Sequence, residues 1–166
     1  MAYKYSQKFD KEKMARALGS NLPISTKKSI EICSLLRGKK VIFAEKVLND
    51  IITMEKPIPF RRFTNGAGHK PGMAAGKYPI NTAKEILKVI NLAKNAKANA
   101  AAKNMDTESL VISHISAQKG GKRYHYGRVR GKMKITHIEM FVQESKEEKK
   151  KIKNKKQESK EETKSK

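Results

Sequence analysis

The sequence predicts an α+β fold in which three helices pack on a small antiparallel sheet of about three strands, with a long basic β-hairpin protruding. Three observations carry this prediction. Segments with apolar residues at helical spacing fill most of the chain between residues 25 and 104. Two runs rich in β-branched residues, "LVISHISA" and "ITHIEMFV", follow. Between these runs lies "GGKRYHYGRVRGKMK", which contains no acidic residue and almost no aliphatic one.

The first 24 residues are polar and irregular, apart from one short strand predicted around "KMARALG". The first helix is predicted within "ISTKKSIEICSLLRGKK", where Ser25 is a candidate N-cap and Gly38 suits the left-handed position that ends many helices. Cys33 lies beside the apolar stripe of this helix. We therefore interpret Cys33 as a small buried hydrophobe rather than a nucleophile.

A second helix is predicted in "VIFAEKVLNDIITM", in which Val41, Ala44, Ile51 and Met54 recur at helical spacing. Only "GKK" separates this segment from the first helix. The two helices are therefore predicted to form a helical hairpin.

Residues 55–79 break all periodicity, and a loop this long in a compact domain is usually functional or disordered. Its glycines invite comparison with a phosphate-binding loop. Gly72 and Gly76 have the wrong spacing, however, and Tyr78 stands where a magnesium-binding Ser or Thr is needed. The pattern therefore argues against a nucleotide-binding loop.

Within this loop, "PFRRF" places Arg61 and Arg62 between two phenylalanines. One interpretation is a surface loop pinned by the two rings. The other is a phosphate clamp, because guanidinium groups bind phosphate bidentately and stack on bases. The strongly basic composition favours the clamp, and His69 and Lys70 are assigned to the same surface.

The third and longest helix is predicted in "TAKEILKVINLAKNAKANAAAKN", where Thr82 and Glu85 match a capping box. Two strands follow at 110–117 and 135–142, and their proximity in sequence favours an antiparallel pair. The last 23 residues are a Lys/Glu tract that is either disordered or marginally helical. We therefore divide the chain into one folded domain, 1–143, and a charged tail, 144–166.

The connection between the two strands, about residues 117–137, is predicted to form the protruding hairpin. If a strand continued through it, aromatic and basic side chains of one parity would face the same way. A hairpin without a hydrophobic face is marginal in water, so the alternatives are a mobile basic loop and a finger ordered by a surrounding polyanion. The RNA-binding residues predicted in this connection are Lys119, Lys122, Arg123, Tyr124, Tyr126, Arg128, Arg130, Lys132 and Lys134.

Charge identifies the class of partner. The chain holds 38 Lys and Arg against 16 Asp and Glu, a net charge of +22, and the tail accounts for only +4 of it. The predicted domain is therefore itself a polycation, for which nucleic acid is the leading partner and an anionic membrane surface the weaker one. Lys27 and Lys28, in the first turn of the first helix, are predicted to add a phosphate contact.

Several other classes are disfavoured. One cysteine excludes an internal disulfide framework and fits a reducing, cytoplasmic compartment. Four scattered histidines and a lone thiol make no credible zinc set, and no cofactor is predicted. No apolar run reaches the roughly 18 residues of a membrane span. His114 and His137 are interpreted as structural, since they lie in the predicted strands.

A catalytic alternative would use His125 or His69 in a nuclease or RNA-modifying enzyme. General acid–base catalysis needs a positioned partner, and no carboxylate lies near His125 in sequence. We therefore predict that the protein is not an enzyme. A free-standing RNA- or DNA-binding module remains the open alternative, because it shares the charge and the hairpin.

Four segments, "RALGSNLPIS", "PFRRFTNGAGHKPG", "AKNAKANAAAKNMDTESLVISHI" and "THIEMFV", occur in an order that resembles one known family. It is the universal large-subunit ribosomal protein family numbered twenty-two in bacteria and seventeen in eukaryotes, and this version is similar to the archaeal branch. The likeness covers roughly residues 3–143. It implies a cytoplasmic structural constituent of the large ribosomal subunit that binds large-subunit rRNA, assists assembly and contacts neighbouring ribosomal proteins.

The resemblance also implies that the hairpin lines the polypeptide exit tunnel, where the nascent polypeptide passes. Arg128, Arg130, Gly131 and Lys132 correspond to the basic motif at the hairpin tip in that family. The interval from Lys132 to His137 is shorter than in typical members, which implies a shorter hairpin.

Overall fold

The computed structural model describes residues 4–7, 14–65, 68, 73, 75–98 and 110–144. Within these ranges it contains three α-helices, a three-stranded antiparallel sheet and a separate two-stranded ladder, which confirms the predicted α+β class. In chain order the elements are β1 (Met14–Leu22), α1 (Thr26–Leu36), α2 (Val41–Ile52), β2 (Ile58–Pro59), β3 (Gly76–Lys77), α3 (Ile80–Ala98), β4 (Leu110–Lys119) and β5 (Thr136–Glu144).

The main sheet has the order β1-β5-β4, and both pairings are antiparallel. The last strand of the domain is therefore the central strand of the sheet. Met140 shows this directly, since it pairs with Ala17 of β1 on one side and with Ile115 of β4 on the other. A register shift between Ile112 and His114 marks a bulge in β4. The strand predicted around "KMARALG" and the antiparallel pair near the end of the domain are both confirmed.

Both faces of β5 are buried. Ile138, Met140 and Val142 belong to the hydrophobic core that the helices complete. Because side chains alternate along a strand, Glu139 and Phe141 point to the opposite face, yet both are fully buried. The N-terminal segment 4–7 covers them.

Short backbone contacts join the turn between α1 and α2 to the sheet. Gly38 ends α1 with a φ of +75° and donates its N–H to the Ile112 carbonyl at 2.9 Å. The Ile112 N–H in turn donates to the Lys39 carbonyl at 2.9 Å. Ser25 is the N-cap residue as predicted, although its side chain makes no capping hydrogen bond. The turn between the two helices therefore packs on strand β4. The predicted helical hairpin is wrong, because α1 packs on β4 and α2 packs on α3 rather than on each other.

Two sequence-based details are wrong. Helix α2 ends at Ile52, and Met54 lies beyond it with a φ of +62° and an exposed side chain. Helix α3 begins at Ile80, because the Ala83 N–H donates to the Pro79 carbonyl at 3.0 Å and makes Pro79 the residue that precedes the helix. Thr82 is buried inside the first turn, so it does not form the predicted capping box.

The short ladder of β2 and β3 was not predicted. Ile58 pairs with Lys77 and Pro59 with Gly76, and the Phe60 N–H donates to the Ala75 carbonyl at 3.1 Å. Two residues per strand are too few to produce a recognisable alternation. The ladder brings together the two ends of the segment that the sequence presented as one long loop.

Candidate nucleic-acid interface

Two of the predicted RNA-binding segments and the loop after β2 meet at one groove of about 650 Å³. Its sides are the first turn of α1, the loop around Phe63 and Asn65, and the base of the hairpin between β4 and β5. Ile30, Met133 and Ile135 contribute apolar surface. The cationic side chains that line the groove are Lys27, Lys119, Lys122, Lys132 and Lys134.

All five of these lysines are exposed, and no acidic residue in the described ranges lines the groove. Like charges at this density repel one another, so the arrangement is favourable only with an anion present. The Lys27 ammonium lies 5.8 Å from the centroid of the Phe63 ring. That ring therefore sits beside the cations, where an unpaired base could stack on it. Lys28 is only partly exposed and does not line the groove.

The "PFRRF" segment is held by α1. Phe60 is buried in the core, and the Glu31 carboxylate accepts hydrogen bonds from the backbone N–H groups of Arg61, Arg62 and Phe63 at 3.2, 2.7 and 2.7 Å. Glu31 itself is 7% exposed. Glu31 was not among the residues predicted from the sequence. Its place at the edge of the apolar stripe of α1 was the available signal, since a buried carboxylate needs partners.

Arg61 and Arg62 are exposed and line a second cleft of about 380 Å³. Arg37 and Lys39 line the same cleft, whereas Ile30 contributes to both clefts. The two predicted cation groups, the arginine pair and the hairpin base, therefore lie on adjoining surfaces of α1 rather than in one groove. His69 and Lys70, which we assigned to the same surface, lie outside the described residues.

The hairpin beyond the sheet is irregular. Gly120 donates to the Ile135 carbonyl at 2.9 Å, and an isolated bridge joins Tyr124 to Lys132. A 3₁₀ turn then spans Gly127–Val129, followed by Arg130 with a φ of +37°. The condition for side chains of one parity to share a face, a strand that continues through this segment, is therefore not met at the tip. A strand does not continue through the turn that carries the two arginines.

The hairpin tip exposes rings and cations together. His125, Tyr126, Arg128 and Arg130 line an open cleft of about 720 Å³. Tyr126 is 99% exposed and Tyr124 is 54% exposed. Rings left in water beside arginines are suited to stacking on bases or on other planar groups.

The remaining singled-out residues belong to the fold. Cys33 is 2% exposed, and burial raises the pKa of its thiol to about 12, which confirms the hydrophobic interpretation. His137 Nδ1 accepts a hydrogen bond from the Asn21 N–H at 3.1 Å. His114 lies 3.3 Å from the buried Glu139 carboxylate. Both histidines are structural, as predicted.

The described ranges contain neither a candidate metal site nor a candidate membrane span. In the described ranges, no three His, Cys, Asp or Glu side chains come close enough together to hold a metal ion. None of the helices in those ranges has the length and apolar character that crossing a bilayer demands.

Comparison with known proteins provides a further observation. A family model described as Ribosomal protein L22p/L17e matches residues 17–143. Large ribosomal subunit protein uL22 of Methanocaldococcus jannaschii is 44% identical over 150 residues, covering 85% of this chain and 94% of that protein. The protein of the same name from Archaeoglobus fulgidus is 45% identical over 114 residues, covering 67% and 72%. That from Staphylothermus marinus is 37% identical over 153 residues, covering 84% and 96%.

Proposed function

This chain belongs to the ribosomal protein L22p/L17e family, as an archaeal-type member, and from this membership we infer its function. It is a structural constituent of the large ribosomal subunit in the cytoplasm and not an enzyme. Its partners are large-subunit rRNA and neighbouring ribosomal proteins.

One observation carries the mechanism: the groove in which five exposed lysines from α1 and the hairpin converge without an acidic neighbour among the lining residues described. Lysines that replace counterions on phosphates bind RNA through a sequence-independent electrostatic attraction. Because the groove joins two elements of the fold, an RNA strand in it would brace the hairpin against the helical body. The protein would thereby assist assembly by holding packed RNA segments together.

The residue assignments belong to the same proposal. Arg61 and Arg62 contact phosphates from the second cleft. The hairpin tip, through Arg128 and Arg130, contacts rRNA along the polypeptide exit tunnel and lies beside the passing nascent polypeptide. Exposed rings and cations at the tip support this assignment, as does a hairpin with little apolar surface of its own.

The domain boundary is part of the proposal as well. Residues 1–143 would act as one RNA-binding unit, with 144–166 as an appended charged tail. The family match ends at residue 143, and β5 ends at Glu144.

Charge reversal at the tip tests the proposal. We expect Arg128→Glu with Arg130→Glu to reduce incorporation into large subunits, measured by gradient sedimentation of lysate at moderate salt. The matched control is Lys150→Glu with Lys151→Glu in the tail, which changes charge equally. Equal effects of the two pairs would count against the hairpin assignment. Wild-type protein that remains in the soluble fraction would overturn the ribosomal function and favour a free-standing nucleic-acid-binding module.

A further inference from the structure

We infer that Glu31 is a positioning residue for RNA binding, which orients the arginine pair by holding the backbone beneath it. The inference rests on the proposed function, since it concerns how Arg61 and Arg62 are presented to RNA. Glu31 would not touch the RNA. Its effect would pass entirely through the loop that follows β2.

The geometry is that of a fixed support. Glu31 lies on α1, a helix anchored in the core by Ile32 and Leu36, both fully buried. Its carboxylate accepts three successive backbone N–H groups, from Arg61, Arg62 and Phe63, at 2.7 to 3.2 Å. Hydrogen bonds to an ionised acceptor are stronger than neutral ones. Three of them at a buried carboxylate therefore determine the path of the loop.

The contacts use the backbone and leave the guanidinium groups outside. Within the described residues, no ion pair joins Glu31 to Arg61 or Arg62, and both arginine side chains are exposed. The Arg62 guanidinium lies 5.4 Å from the Phe63 ring centroid, which further limits its freedom. A bidentate phosphate contact contributes more binding free energy when the arginine side chain and its backbone lose less conformational freedom on binding.

Glu31 also occupies an anion site of the protein's own. Successive backbone N–H groups that point into one concavity attract anions, phosphate included. Because the carboxylate already fills that position, a phosphate approaching the loop would meet the guanidinium groups instead. Glu31 lines the same cleft as Arg61 and Arg62, but its carboxylate is buried against the loop backbone whereas the two arginines are exposed.

A positioning role and a purely electrostatic role for Glu31 predict opposite changes in RNA affinity when the carboxylate is removed. Removing one carboxylate from a surface that binds RNA should tighten binding if only net charge matters. If Glu31 positions the arginines, its removal should weaken binding. The two roles therefore predict opposite changes in affinity.

The test uses the full chain and a transcript of the large-subunit rRNA from the same organism as the probe. We expect Glu31→Gln to weaken RNA binding by about 3- to 10-fold, within the range of coupled neighbours. The same substitution should have no further effect in R61A/R62A protein. The matched control is Glu55→Gln, which neutralises an exposed carboxylate after α2 and should leave affinity unchanged or slightly raised.

A second variant separates geometry from charge. Glu31→Asp keeps the negative charge but shortens the side chain by one methylene, so it should also weaken binding, whereas a charge-only role predicts no change. It serves in place of Glu31→Gln if that variant does not fold, as judged by thermal unfolding. The loss of affinity should be accompanied by a weaker salt dependence, that is, by a smaller slope of log affinity against log salt.

Several outcomes would overturn the inference. Tighter or unchanged binding by both Glu31 variants would do so, as would an equal loss in the R61A/R62A background. If R61A/R62A alone did not change RNA affinity, the two arginines would make no RNA contact for Glu31 to position, and the inference would again be overturned. In each of these cases the wild-type protein still binds the transcript, so the proposed function stands. Absence of wild-type binding would instead remove both.

Discussion

Glu139 is buried and hydrogen-bonded in a way that its position in the sequence does not predict. It lies fully buried at the centre of the sheet face that the helices do not cover. Its carboxylate accepts hydrogen bonds from the Ser6 hydroxyl, from the Ser6 N–H at 3.2 Å and from the Ser116 hydroxyl at 2.8 Å. Burial by itself raises the pKa of Glu139, but the hydrogen bonds from Ser6, Ser116 and His114 outweigh burial and lower it below its ordinary value.

A lowered pKa in the folded state stabilises the fold above the ordinary carboxyl pKa, and that contribution is lost as the pH falls through the folded-state value. We expect Glu139→Gln to lower the free energy of unfolding at neutral pH by about 1–3 kcal/mol, because a buried hydrogen-bond network loses its charged acceptor. The difference from wild type should shrink below about pH 4, where carboxyl groups take up protons. Denaturant unfolding at both pH values measures it.

The exposed Glu55 gives the control, since Glu55→Gln should change stability by less than about 0.5 kcal/mol at either pH. A Glu139→Gln variant that lost equal stability at acid and neutral pH would contradict the assigned direction of the pKa shift.

Among the structural elements, the hairpin base is the one most sensitive to a single added atom. A Cβ added at Gly120 would lie 2.4 Å from Ile135 Cγ2 and 3.2 Å from the Ile135 carbonyl carbon. Ile135 is buried, so its side chain has little room to move. At Gly121 an added Cβ would meet nothing within 4 Å. Substitution of Gly120 therefore tests this close contact, and the same substitution at Gly121 provides the control.

We expect Gly120→Ala to destabilise the protein by about 1–3 kcal/mol, as overpacking usually does, because it forces apart the strands where the hairpin leaves the sheet. Gly121→Ala should stay within about 0.5 kcal/mol of wild type. Thermal or denaturant unfolding compares them. Similar stabilities for the two variants would show that the strands separate here at no cost.

Beyond the sheet, the hairpin buries too little apolar surface to fix its own conformation. Past Gly120 and Ile135, the described residues include cross-hairpin backbone bonds from His125 to Gly131 and from Met133 to Arg123, at 2.9 and 2.8 Å. Residues 121–128 are exposed. With so little apolar burial, the shape of this element depends on what surrounds it.

For the whole molecule, charge is the property that links fold to partner. The net charge is +22, and +18 of it belongs to residues 1–143. Each phosphate contact made by Lys or Arg adds about 0.7 to 0.9 to the slope of log affinity against log salt. RNA binding should therefore weaken steeply with salt.

We expect Lys119→Gln with Lys132→Gln to lower that slope by about 1.4 to 1.8, since both lysines line the groove. The control pair is Lys46→Gln with Lys56→Gln, which removes the same charge from exposed positions outside the groove. Titration of the large-subunit rRNA transcript at several salt concentrations measures the slopes. Equal changes from both pairs would mean that binding follows net charge and that the groove has no special part.

Features that depend on near neighbours in the chain could be predicted from the sequence. Apolar spacing located the helices and the strands of the main sheet, Gly38 marked the end of α1, and charge identified a nucleic-acid partner. The burial of Cys33 also followed from its place beside an apolar stripe. Periodicity records which side of an element is buried, so these features could be read locally.

Which surfaces meet depends on the three-dimensional path of the chain. It placed β5 between β1 and β4, set Glu31 beneath the arginine loop, and covered Glu139 with the N-terminal segment. Each of these contacts joins residues far apart in the chain, and a carboxylate looks the same in sequence whether water or three backbone amides surround it. The physical reason is that burial patterns are local, whereas the partners of a buried polar group are fixed by chain topology.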